Sequence, residues 1–147
     1  MTSLHSFNPF SFALYFFAMK TTYRTLPSCP PALGPYSLAV STGAPLLFVS
    51  GMTPWDPSTG KITRGTLSEQ TRLVLENIRR VVEGAGAELA NTISCRVYLS
   101  NLTPETFQEM NAVYSEYFAG DHPPARATIG AQLLGFDVEI ECVVALQ

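Results

Sequence analysis

Arg126 stands in the stretch Pro-Pro-Ala-Arg-Ala-Thr-Ile-Gly, residues 123–130, of a chain that is only 14% charged. A guanidinium is a planar fork of five donors, and it grips a carboxylate with two parallel hydrogen bonds. In a strand, Ala125 and Ala127 would share the opposite face and leave room beside it. Two roles fit Arg126: an ion pair with Asp121 or another acid, or an anchor for an anionic ligand.

Further positions are candidates for chemistry. In Asp-Val-Glu-Ile-Glu-Cys, a period of two puts Asp137, Glu139 and Glu141 on one face and Val138, Ile140 and Cys142 on the other. Such carboxylates either face solvent or position a water and move protons. Asn111 falls on an apolar stripe with Phe107, Tyr114 and Phe118, so its amide must find partners, in a loop or in a site. Tyr36 follows Leu-Gly-Pro and is either a core filler with a polar tip or a ligand contact. Ser50 ends a predicted strand and has no His-Asp pair to make it a nucleophile.

The elements that must position these residues are legible from their signals. Residues 36–41 and 46–50 read as strands around a Ser-Thr-Gly-Ala-Pro turn. Trp55 to Ile62 is turn chemistry with Asp-Pro and Gly60. Thr66-Leu-Ser-Glu69 fits a capping box, opening a helix to about Glu83 with an apolar stripe of Leu67, Val74, Ile78, Val81 and Ala85. Residues 91–101 form a strand with Ile93, Cys95, Val97 and Leu99 on one face. Thr103-Pro104 starts a second helix that runs to about Phe118, and strands over 125–132 and 137–146 close the chain. The order β-β-α-β-α-β-β predicts an α+β fold with two helices on one face of a mixed sheet. Strands this apolar imply that the other face is covered, most simply by further copies of the chain.

Composition bounds the function. A chain of 147 residues, 46% hydrophobic, fits one domain with a real core. A net charge of −3 without any basic run leaves no footprint for nucleic acid. Cys29, Cys95 and Cys142 form no CxxC pair, and the histidines are His5 and His122, so a metal site is not expected. Reduced thiols suit the cytoplasm or an organelle such as the mitochondrion. Residues 1–19 carry no Asp, Glu, Lys or Arg, and their apolar run Ala13–Met19 is too short to span a membrane. They lack the basic start of a secretory signal and the arginines of a transit peptide. They read as an extension before the domain 20–147, either outside the fold or packed upon something, and Met19 is a possible alternative start.

Taken in order, these pieces resemble the Rid family of reactive-intermediate deaminases, also called the YjgF family. Ala-Leu-Gly-Pro-Tyr-Ser-Leu-Ala-Val, Phe-Val-Ser-Gly-Met-Thr-Pro-Trp-Asp-Pro, the two helices and Pro-Pro-Ala-Arg-Ala-Thr-Ile with Val-Glu-Ile-Glu follow its series across residues 22–146. The resemblance implies a chorismate-mutase-like homotrimer with sites in clefts between subunits. It implies hydrolysis of 2-aminoacrylate-type enamines and imines to 2-oxo acids and ammonia, with no metal or organic cofactor. Within it, Arg126 matches the carboxylate anchor and Glu139 the residue that places the water. Tyr36, Ser50 and Asn111 match site positions, and Thr128 lends backbone groups. Met52 replaces the family's glutamine, the Leu-Leu-Gly-Phe-Asp loop lacks its proline, and Trp55 and Phe136 add bulk. These departures leave open an isomerase or cyclase of a biosynthetic pathway on the same fold, or a binding protein without catalysis.

Overall fold

The computed structural model describes residues 20–146; the expected extension over residues 1–19 lies outside them. Eight strands and two helices follow in chain order: β1 (Thr21–Tyr23), β2 (Ala39–Ser41), β3 (Leu46–Met52), β4 (Trp55–Asp56), β5 (Lys61–Ile62), α1 (Leu67–Gly84), β6 (Thr92–Leu99), α2 (Pro104–Phe118), β7 (Ala125–Gly130) and β8 (Val138–Ala145). The main sheet has the order β3-β8-β6-β7, with only β6 and β7 parallel. Both helices pack on one face of this mixed sheet, as the element order predicts.

Both helices start where their caps require. Thr66 Oγ1 accepts from Glu69 N at 3.2 Å, and Thr66 N donates to Glu69 Oε2 at 2.8 Å. Thr103 and Thr106 reciprocate in the same way ahead of α2. Each box satisfies N–H groups that a helix start leaves open. Val74, Leu75, Ile78 and Val82 of α1 and Met110, Val113, Tyr114 and Phe118 of α2 then meet Cys95, Val97, Leu99, Val138, Ile140 and Cys142 in the core.

The α1 stripe differs from the expected one at its end. Val81 is 40% exposed and Ala85 lies past the helix, while Leu75 and Val82 are buried. The buried face runs through Val74, Leu75, Ile78 and Val82, so the step of four from Ile78 to Val82 stays on the core face and the step of three to Val81 leaves it. In β6 a ladder irregularity between Thr92 and Ser94 breaks the alternation, so Thr92 is buried and Ile93 only half so.

The expected strand over residues 36–41 shrinks to β2, whose partner is β1. Ser37 is the reason: its N–H donates to Pro124 O at 2.9 Å and its hydroxyl to Pro123 O at 2.6 Å. The chain is thus tied to the start of β7 by a bridge between Ser37 and Ala125 before it enters β2. The β4–β5 hairpin and β1 are two or three residues long and carry no readable period.

The open face of the sheet is apolar in places. Phe48 is 74% exposed there, and Leu46 of β3 and Ile129 of β7 are also exposed. No helix among the described residues is long and apolar enough to cross a membrane.

Candidate functional site

Arg126 lies opposite Cys95 in the parallel β6–β7 ladder, and Cys95 is buried in the core. Its side chain therefore points to the helix face, toward α2. Asn111 Oδ1 accepts from Arg126 Nη1 at 2.7 Å. The guanidinium carbon sits 4.6 Å from the Tyr114 ring centroid, 5.6 Å from Phe107 and 5.7 Å from Tyr36. Ring faces attract a cation, so the three aromatics hold it without neutralising it.

No carboxylate among the described residues pairs with Arg126. The ion pair with Asp121, open from the sequence, is therefore not formed, and Asp121 is exposed elsewhere. Burial pulls the guanidinium below its ordinary value, partly offset by Tyr114, Cys95 and Tyr36, yet it stays charged at neutral pH. Half-buried cations are costly unless an anion or strong acceptors surround them. Arg126 is thus a charged fork with donors left over.

Tyr36 reaches this place through the loop. Its hydroxyl accepts from Leu33 N at 3.2 Å. Gly34 runs close beneath: a Cβ there would meet the Tyr36 ring at 3.4 Å and Arg126 Nη2 at 3.9 Å. Thr128, two residues after Arg126, shares its face, and its hydroxyl is buried without a protein partner. The edge strand β7 also keeps its outer backbone open, since only the Ser37–Ala125 bridge covers it among the described residues.

Glu139 and Ser50 are elsewhere. Glu139 lies opposite Tyr98, Ser50 follows buried Val49, and both therefore face the open side of the sheet. There the Glu139 carboxylate rests on Gly51, where any Cβ would overlap Oε1. Tyr98, Leu133, Phe136 and Glu139 line a cavity of about 350 Å³. Glu141 is engaged by Arg96 at 2.5 Å. The expected trio of carboxylates loses Asp137, which precedes β8 and accepts from Gln70 Nε2 at 2.7 Å and Ser100 Oγ at 2.9 Å. Its role is to hold the buried Gln70 of α1.

The structure thus brings together Arg126, Asn111, Tyr36 and Thr128 on one side and Ser50 with Glu139 on the other. Phe107 and Tyr114 join the first group. Their signal was present in the stripe, since they flank Asn111 by one helical turn on each side. Among the described residues no group of three or more His, Cys, Asp or Glu could hold a metal ion.

Comparison with known proteins places this chain among relatives. The family model described as endoribonuclease L-PSP matches residues 27–146. A RutC family protein of Pyrococcus abyssi is 46% identical over 112 residues, 76% of this chain and 85% of its own. Reactive Intermediate Deaminase A, chloroplastic, of Arabidopsis thaliana is 32% identical over 131 residues, 88% of this chain and 68% of its own. The crystal structure of the Rid family protein YyfB from Yersinia pestis superposes with a TM-score of 0.77 at 27% identity, covering 87% of this chain and 99% of that one.

Proposed function

The chain belongs to the endoribonuclease L-PSP family, which includes the Rid and YjgF proteins, and on that premise we propose that it deaminates small carboxylate-bearing imines and enamines without a cofactor. The observation that carries this reading is Arg126: a half-buried guanidinium held by Asn111 and three rings, with no carboxylate among the described residues paired to it. A substrate carboxylate supplies the missing charge. The reading is also supported by the Arabidopsis relative, whose name is that of a reactive intermediate deaminase.

The chemistry asks little of the protein. A protonated imine carbon is already electrophilic, so the site need only anchor the acid, orient a water and move protons. Arg126 grips the carboxylate, with Thr128 and the β7 edge beside it. The Glu139 carboxylate takes a proton as the water oxygen bonds to the imine carbon. It returns that proton to the nitrogen; the new hydroxyl then gives its proton to the Glu139 carboxylate as the C–N bond breaks, and the departing ammonia takes that proton from Glu139, leaving a 2-oxo acid and ammonium. An enamine such as 2-aminoacrylate first takes a proton on carbon to become the imine.

Arg126 and Glu139 do not meet within one chain, so this mechanism requires a second copy that presents its open face beside β7. The exposed Phe48 and Leu46 on that face support such an assembly, which we propose is a homotrimer with its sites in the clefts. Cleavage of RNA, suggested by the family's description, is not the reading proposed: the net charge is −3, and Arg72, Arg79 and Arg96 are each paired with glutamate.

The test generates 2-aminoacrylate or its imine in situ with an amino-acid dehydratase or oxidase and follows its loss. Wild-type protein accelerates the loss, and Arg126→Ala abolishes at least about a hundredfold of kcat/KM, the loss of two charge-assisted hydrogen bonds. A wild-type rate equal to background overturns the deaminase reading and leaves the biosynthetic isomerase or cyclase. Full activity in a folded Arg126→Ala protein removes the anchor. Light scattering that finds a monomer at micromolar concentration removes the assembly.

A further inference from the structure

A second cavity, of about 430 Å³, opens at the far end of α2 and shares no lining residue with the Arg126 group. Lys20 stands in its wall. Its ammonium donates to Ala90 O at 2.6 Å and Thr92 O at 2.9 Å. An ammonium has three donors, and no carboxylate among the described residues neutralises this one. The side chain is only partly exposed, and burial pulls its ammonium below the ordinary value.

Further polar residues line the same space. Asn91 also lines the cavity, and its amide nitrogen is buried without a protein acceptor. His122 lines it too; its Nδ1 is taken by the Thr22 hydroxyl at 2.9 Å, which leaves Nε2 without a protein partner among the described residues. Tyr117 and the buried Phe118 supply an apolar wall, and Gly120 leaves room. Asp121 is the one acid at the rim, and it is exposed.

We propose that this cavity is a second binding site, for a small organic carboxylate with an apolar body, its charge on Lys20 and Asn91 and its body against Phe118. Cavities of this size with a few convergent donors on an apolar floor suit small ligands. An anion there completes the ammonium and the orphaned amide together. The inference stands whether or not the protein is a deaminase.

The experiment is run on Arg126→Ala protein, so that Arg126 does not compete for the probe. Benzoate, titrated under NMR, shifts the amide resonances of Asn91, Phe118 and Gly120 and saturates. Neutral benzamide, of the same shape, does not. Adding Lys20→Met weakens benzoate binding by about tenfold or more, as loss of a charge-assisted contact requires. Asp121→Asn strengthens it by removing the opposing charge. A Cβ at Gly120 meets nothing within 4 Å, so Gly120→Leu is unstrained and blocks the cavity, which decides the matter if the Lys20 variant fails to fold. Unchanged benzoate binding in either variant, equal binding of benzamide, or no shift at these residues overturns the proposal.

Discussion

Arg126 and Glu139 stand on opposite faces of one sheet: Arg126 is opposite Cys95 on the helix face, and Glu139 is opposite Tyr98 on the open face. Cys95 and Tyr98 are an odd number of residues apart in β6, so the pleat alone forces the separation. On the proposed mechanism a single chain carries two half-sites, and hydrolysis that uses both residues is a property of an assembly.

Subunit mixing tests that directly. Arg126→Ala and Glu139→Gln proteins are each inactive. Unfolded together in equal amounts and refolded, they regain activity in about one quarter of the sites, the random share of a ring in which one subunit gives the arginine and the next the glutamate. No recovery in the mixture, with folded oligomers present, removes Glu139 from the site.

Asn111→Asp puts a carboxylate where an amide oxygen now lies 2.7 Å from Arg126 Nη1. The guanidinium holds that new carboxylate ionised through neutral pH, and it competes with the substrate for the fork. KM for a 2-iminoacid rises by about tenfold or more, while Asn111→Ala gives a smaller rise. Steady-state kinetics of the two variants separate charge competition from loss of positioning.

Asp137→Ala lowers stability by about 2 kcal/mol, because Gln70 is 1% exposed and loses a partner for its amide. Glu141→Ala costs much less, since its partner Arg96 is largely exposed. Urea unfolding of the two proteins distinguishes the carboxylate that holds α1 from the one on the open face.

Burial pushes the Cys95 thiol up from 9.0 to about 12. The unfolded thiol ionises first, so its stabilising effect is whole below about pH 9 and is lost as pH rises toward 12. Cys142 and Tyr114 are shifted upward by the same cause. Stability therefore falls on the alkaline side, and Cys95→Ala removes about 1.4 kcal/mol per pH unit of that slope. Denaturant melts between about pH 9 and 10.5, the lower part of the window from 9.0 to about 12 that this shift sets, give the comparison; equal slopes in both proteins contradict it.

The helices and the central strands were legible because their signals are local. Thr66 with Glu69 and Thr103 with Pro104 mark starts that the structure uses as written. The alternation in Val138–Ala145 sorts its faces correctly. What failed was short or shared. The strand expected at Tyr36 is unmade by the bonds from Ser37 to Pro123 and Pro124, residues far along the chain. Asp137 looked like the first of three carboxylates on one face, yet Gln70 of α1 claims it.

The site divides in the same way. Residue types and spacing singled out Arg126, Glu139, Asn111 and Tyr36 as candidates, because each sits in a local pattern that sequence carries, and the family resemblance added Ser50 and Thr128. Whether Arg126 was paired or free was not in its own strand, since a partner's distance depends on the whole fold. Tertiary structure decided that: α2 brings Asn111, Phe107 and Tyr114 around the guanidinium and no acid with them. It also decided that the β6 pleat sets Arg126 and Glu139 on opposite faces, a relation that exists only once β7 and β8 flank the same strand.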